Sequence, residues 1–175
     1  NVFKRTIEKE IVAQINEAQF ESKAIQLTKI ADPTPQLRKI KTQLIKYKRN
    51  DGLDLSFVLL TPPDYKEGTR LPTIIQAYPL DYADASKAGQ VRSTTNTFQS
   101  LTDYKLLVLA GYAVISDASF PIISETKKAY DNYQAQLISD AKAAVDEAVK
   151  MGIADPNRIG IIGHSHGALM VANLL

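Results

Sequence analysis

Gly163-His164-Ser165-His166-Gly167 is the stretch in which residue types and spacing point most directly to chemistry. A serine with glycine two residues away on either side is the pattern of a nucleophile elbow, a sharp turn from a strand into a helix. The spacing has a physical reason. Such a turn holds the serine in a strained backbone conformation, and side chains at the flanking positions would collide. Glycine removes the collision and lets Oγ stand clear of the sheet edge. A helix beginning just behind the serine aims backbone N–H groups at the place where an oxyanion would form. Chance supplies five such residues readily, so context decides. Ile159-Gly160-Ile161-Ile162 before the serine is an apolar strand-like run, and Ala168, Leu169, Met170, Val171, Ala172, Leu174 and Leu175 after it read as an apolar helix. The pattern therefore favours a nucleophilic serine over an ordinary glycine-bounded strand-to-helix turn.

Serine at its ordinary pKa is a poor nucleophile and needs a base, itself oriented by a third group. The chain has 2 histidines, His164 and His166, and both adjoin Ser165. Neither is expected to be the base. Immediate neighbours on a sharp turn direct their side chains away from Oγ, and the order on such an elbow is nucleophile, then acid, then histidine. The acid and base are expected after Leu175, in a longer protein, so that the piece alone would be inactive. His164 reads as a packed or hydrogen-bonded structural residue and His166 as a pocket wall. As a metal motif His-x-His lacks a nearby third ligand, and neither a metal nor a cofactor is expected. Asp117 and Asp131 precede the serine and have no base to orient. Asp155 reads as a turn residue. The Tyr130-Asp131-Asn132-Tyr133 cluster either lines a pocket or caps a helix, and capping is favoured.

The remaining composition narrows the class. Of 175 residues 45% are hydrophobic, enough for one substantial core. The 21 basic and 19 acidic residues are interspersed for a net charge of +2, which argues against a dedicated nucleic-acid surface. Cysteine is absent, so disulfides and thiolate metal sites are excluded while the compartment stays open: cytoplasmic, periplasmic or organellar. No apolar run approaches a membrane span and no signal peptide is visible, so a soluble protein is expected.

Elements that would position the elbow can be read in order. Residues 2–7 and 23–30 alternate like strands, with a polar stretch between them. Asp32-Pro33-Thr34-Pro35 breaks regular structure and marks a boundary, giving a first module over 1–31 and a second over 32–175. Residues 43–48 and 53–60 form two strand patterns around Arg49-Asn50-Asp51-Gly52, good hairpin chemistry. Residues 71–78 are a third strand, apolar enough to be covered on both faces. Residues 79–100 read as a long loop, a kind more often functional than idle. Residues 101–110 fit a helix stopped by Gly111, residues 112–116 a fourth strand, and Pro121 a loop. Residues 132–151 are the clearest helix, with Leu137, Ile138, Ala141, Ala144, Val145, Ala148 and Val149 as one stripe and Gly152 past its end. Asp155-Pro156-Asn157 then turns into the fifth strand. Strands alternating with helices imply a mostly parallel sheet with an antiparallel hairpin at its edge.

With the elbow on strand five, this order resembles the first half of an α/β-hydrolase domain. "YKRNDGLDLSFVLLTPPDY" followed by "LPTIIQAYP" looks like the entry to the catalytic domain of prolyl oligopeptidase-type serine peptidases. Together "DPTPQL", "AGQVRS", "FPII", "DNYQAQL" and "GIADPNRIGIIGHSHGALMVANLL" are most similar to the glutamyl endopeptidase branch of that family. The resemblance covers about residues 32–175. It implies an α/β domain, the N-terminal half of an α/β hydrolase with helices on both faces of the sheet, preceded over 1–31 by the last strands of a β-propeller and a linker. It also implies hydrolysis of short peptides or unfolded segments through an acyl-enzyme, with the cut after glutamate. Carried over by position, Ser165 matches the nucleophile, the backbone N–H of His166 one oxyanion donor, and Tyr78 the tyrosine whose hydroxyl is the second. Tyr78 also has a plainer reading, a boundary aromatic packed under a loop. The family usually has tyrosine where this chain has His166, which leaves the main-chain donor intact and changes the packing around it. Arg92, in the loop after Tyr78, could pair with an acidic substrate side chain, since arginine recognises carboxylates bidentately, or could anchor its loop. Two other readings share the elbow: an esterase of the same fold, and a hydrolase-like module without catalysis.

Overall fold

The structure is a computed structural model that describes residues 3–7, 22–26, 31–88, 104–124 and 131–175. The chain divides into two compact units, 1–35 and 36–175. In the first, β1 (Phe3–Ile7) and β2 (Ser22–Gln26) pair antiparallel, Phe3 opposite Gln26 and Ile7 opposite Ser22. The expected continuation of the second strand over residues 27–30 lies outside the described residues.

The second unit is built on a five-stranded sheet of β3 (Lys41–Lys48), β4 (Asp54–Thr61), β5 (Leu71–Ala77), β7 (Ala113–Ala118) and β9 (Ala154–Ile162) in the order β3-β4-β7-β5-β9. The hairpin forms where its turn chemistry predicts. Gly52 takes φ 89, its N–H bonds the Arg49 carbonyl at 2.8 Å, and the Asp51 carboxylate accepts from the Leu53 N–H at 3.3 Å. Sequence patterning suggests a mostly parallel sheet, whereas the structure is mixed. β4 runs antiparallel to both β3 and β7, and only β5 pairs parallel with β7 and β9. The hairpin forms one edge of the sheet, as its pattern suggests, and both antiparallel pairings involve its second strand.

Helices cover both faces. α1 (Lys105–Leu109) buries Val108 against Leu60 and Val114 on one face. It is shorter than the pattern over 101–110, because Tyr104 has φ 28 and so stands outside the helix. Gly111 at φ 94 ends it, and residues 101–103 lie outside the described residues. α2 (Tyr133–Lys150) and α3 (His166–Leu174) share the core on the opposite face with Phe57, Leu59, Ile75 and Ile115. The stripe of α2 runs through Leu137, Asp140, Ala144 and Ala148, while Ile138, which falls in the apolar pattern, is half exposed.

Asp140 is the unexpected member of that stripe. It is fully buried, and Arg49, itself 6% exposed at the hairpin, donates to its Oδ1 at 2.7 Å. Arg49 also pairs with Asp51 at 2.7 Å, which tethers the hairpin turn to α2. From the Arg49 side the cluster favours charge: the hydrogen bond to Asp51 first, and that to Asp140 after desolvation, hold the guanidinium protonated. From the Asp140 side burial outweighs the pair and pushes the carboxyl up to about 7. Burial decides at Asp140, because its other oxygen, Oδ2, meets no hydrogen-bond donor among the described residues.

Two further features depart from the sequence reading. The loop after residue 78 begins with a three-residue strand, β6 (Leu80–Tyr82), which pairs parallel with β8 (Pro121–Ile123), placed by sequence in a loop. Asp155-Pro156-Asn157 does not precede the fifth strand but bulges from it. Leu71 faces Ala154 while Thr73 already faces Ile159. Asp155 still performs its turn chemistry inside the bulge, accepting from the Asn157 N–H at 3.0 Å and from Arg158 at 2.7 Å. Among the described residues no helix is long and apolar enough to cross a membrane.

Candidate active site

β9 ends at Ile162, α3 begins at His166, and Ser165 occupies the turn between them with φ 56 and ψ −120. A residue with a Cβ rarely adopts this conformation, and the surroundings must enforce it. The glycines supply the means. A side chain at Gly163 would run into the main chain of Gly167, and a Cβ at Gly167 would meet the Ala77 carbonyl oxygen at 3.0 Å. Strand and helix can approach this closely only without side chains at those positions. The Gly167 N–H bonds the His164 carbonyl at 2.8 Å and the Ala168 N–H bonds the Ser165 carbonyl at 2.9 Å, closing the first turn behind the serine. Ser165 itself is exposed.

Tyr78 follows β5 directly, and β5 lies beside β9 in parallel register, Gln76 opposite Ile162. The carboxyl ends of two neighbouring strands thus bring Tyr78 to the elbow: its Cδ2 is 3.8 Å from the Cβ position of Gly167. Tyr78 is 43% exposed. A bulge on the other neighbour helps to set its course. Ile75 faces Ile115 but Ala77 faces Ala118, leaving one extra residue in β7, and Asp117 absorbs it with φ 50. The side-chain oxygen of Gln76 fills the gap, accepting from the Asp117 N–H at 2.9 Å and the Ser116 hydroxyl at 3.4 Å. Bulges of this kind bend a strand and re-aim the residues at its end.

His166 lies between two tyrosines. Its ring stacks on Tyr133 with centroids 5.7 Å apart and planes 11° apart, and Tyr78 meets it edge-on at 5.9 Å and 84°. Tyr133 Oη and His166 Nε2 are 3.1 Å apart, within hydrogen-bond distance. Sequence reading favours a capping role for the cluster 130–133. Instead the Asn132 side chain makes no cap bond and accepts from Gln136 at 2.9 Å, while buried Tyr133 reaches the elbow. Nothing in the spacing announces this contact, since 33 residues separate its partners. The cluster's place just before an amphipathic helix is the one clue.

The other sequence candidates separate. His164 is exposed rather than packed, and it supports the turn through its carbonyl, which accepts from the Gly167 N–H. Asp131 is exposed at the start of α2. Arg92 lies outside the described residues.

Residues 126–175, which contain α2, β9, the elbow and α3, match the model of the prolyl oligopeptidase family. The chain is 39% identical over 160 residues to a probable chloroplastic glutamyl endopeptidase of Oryza sativa subsp. japonica, covering 89% of this chain and 17% of that protein. To the protein of the same description in Arabidopsis thaliana it is 40% identical over 159 residues, covering 87% and 16%. Oligopeptidase B from Leishmania major has a similar fold, with a TM-score of 0.60 at 14% identity over 89% of this chain and 20% of that one. The chain spans about one sixth of the length of the curated relatives it matches. Matched across its elbow by the family model, and along most of its length by two glutamyl endopeptidases, the chain belongs to the prolyl oligopeptidase family.

Proposed function

We propose that the chain is part of a serine peptidase that cleaves peptide bonds through an acyl-enzyme on Ser165, after glutamate. The observation that carries this reading is the backbone of Ser165: φ 56 on an exposed serine, in a turn that two glycines make room for at the carboxyl end of a parallel strand. In this reading Oγ attacks the scissile carbonyl carbon as a base takes its proton. The developing oxyanion is met by the His166 N–H and the Tyr78 hydroxyl. Collapse of the tetrahedral intermediate releases the amine, protonated by the same base, and water then hydrolyses the ester to free Ser165. His166 is not that base, because its ring is committed to Tyr133 and Tyr78. The base and its orienting acid would follow Leu175 in the full-length protein, and residues 1–31 would close a β-propeller with its linker.

Specificity for glutamate is supported by the names of the two plant relatives. A third relative, 29% identical over 161 residues, is a lasso peptide isopeptidase of Asticcacaulis excentricus, so peptide amides of more than one kind are substrates among the relatives. Arg92 would hold the substrate carboxylate by a bidentate ion pair. In the full-length protein, peptide amides with Glu or Gln before the scissile bond should be compared with p-nitrophenyl esters, in wild type, Ser165→Ala and Arg92→Gln. The expected result is fast cleavage of the Glu amide, none in Ser165→Ala, and loss of the Glu-over-Gln preference in Arg92→Gln. Cleavage of esters alone would make the protein an esterase, and turnover by Ser165→Ala would remove the serine mechanism.

A further inference from the structure

Both proposed oxyanion donors are tied to one turn of one helix. Tyr78 packs edge-on against His166, and His166 stacks on Tyr133 in the first turn of α2. Three residues on, in the same first turn of α2, the Gln136 side chain bonds the backbone of Ile123 in both directions. Its Oε1 accepts from the Ile123 N–H at 2.8 Å and its Nε2 donates to the Ile123 carbonyl at 3.0 Å. Ile123 ends β8, β8 pairs with β6, and β6 begins two residues after Tyr78. The Leu80 N–H bonds the Phe120 carbonyl at 3.2 Å and the Ser124 N–H the Tyr82 carbonyl at 3.0 Å, fastening both ends of this short ladder. The links close a ring: Tyr78, β6, β8, Gln136, Tyr133, His166, and back to Tyr78.

We propose that the first turn of α2 sets the oxyanion hole, with Tyr133 and Gln136 as positioning residues that fix the Tyr78 hydroxyl and the His166 amide relative to Ser165. The proposal rests on the reading of Ser165 as nucleophile and of these two groups as donors. Neither residue touches the reacting atoms. Tyr133 acts through the His166 ring, and Gln136 through the strand pair that anchors the chain after Tyr78. A three-residue ladder is too short to hold its own register, so an amide side chain that satisfies both backbone groups of Ile123 supplies constraint the ladder lacks. Loosening either tie should weaken donors that act on the transition state while leaving ground-state binding alone, a loss in kcat rather than in KM.

The test is made in the full-length protein with wild type, Ser165→Ala, Tyr133→Phe, His166→Phe, the Tyr133→Phe/His166→Phe pair and Gln136→Leu. Two rates are followed: turnover of a Glu-containing peptide amide and covalent labelling by a fluorophosphonate, whose attack uses the same hole and needs no substrate carboxylate. Tyr133→Phe keeps the ring and removes only the hydroxyl. It should lower both kcat and the labelling rate about five- to tenfold, the scale of one lost hydrogen bond, with KM and the thermal midpoint unchanged. Added to His166→Phe it should cost nothing further, since it acts through that ring. Gln136→Leu should lower the same two rates. Wild-type rates in Tyr133→Phe and Gln136→Leu, or losses at Tyr133 and His166 that add in full, would overturn the proposal. Labelling that persists in Ser165→Ala would overturn the underlying reading as well, whereas labelling lost there but untouched in the α2 variants would overturn the proposal alone.

Discussion

Holding φ 56 and ψ −120 on a residue with a Cβ costs about 1–3 kcal/mol, and Ser165 bears that strain in full view of solvent. The pattern of glycine, serine and glycine announces it, because only the absence of side chains at 163 and 167 lets strand and helix close this tightly. Tyr78 is less evident from residues alone. Its strand is plain, but its approach to the elbow depends on β5 and β9 being neighbours and on a bulge at Asp117 that no periodicity shows. If the Tyr78 hydroxyl stabilises the oxyanion, Tyr78→Phe should lower kcat about a hundredfold with little change in KM. Steady-state kinetics on a peptide amide check this, and an unchanged kcat would return Tyr78 to an aromatic at a strand end. Tyr133 was out of reach of sequence reasoning. Its contact with His166 is long-range, and its residue type at a helix start suits capping and packing equally.

Among the elements, those with strong periodicity stand where their patterns place them: the hairpin, the third, fourth and fifth strands, and α2. Those the patterns miss are short or irregular. β6 and β8 have three residues each, too few to show alternation, and the 155–158 excursion looks like a turn because locally it is one. Asp140 was hidden for another reason. A carboxylate within an apolar stripe looks solvent-facing until Arg49, 91 residues away, is brought to it. Its consequence is a pH dependence of stability. The carboxyl, near 3.8 when unfolded, is pushed by burial to about 7 in the fold. Below pH 4 both states are protonated and the contribution is fully present. As pH rises toward 7 the unfolded state ionises first, so stability falls, by up to a few kcal/mol. Asp140→Asn removes this slope while keeping an acceptor for Arg49. Thermal midpoints of the two proteins should therefore diverge in favour of the variant between pH 4.5 and 7. Parallel curves over that range would show that Asp140 is already ionised in the fold.

Over the whole molecule, the described part of the second unit is a mixed sheet whose parallel strands deliver two loops, after β5 and after β9, to one end. Ligands in open α/β sheets bind outside the carboxyl ends of strands, and here those ends carry Tyr78 and Ser165. The fold class was readable from alternating strand and helix patterns. The balance of parallel and antiparallel pairing was not, because pairing partners are chosen by packing rather than by any one strand's residues. Everything proposed converges on one atom, Ser165 Oγ. The most direct measurement is peptide mapping by mass spectrometry after treatment of the full-length protein with a fluorophosphonate. The expected adduct is stoichiometric, confined to the peptide that contains Ser165 and lost in Ser165→Ala. An adduct on another residue, or none under conditions where peptides are cleaved, would contradict the elbow as the seat of catalysis.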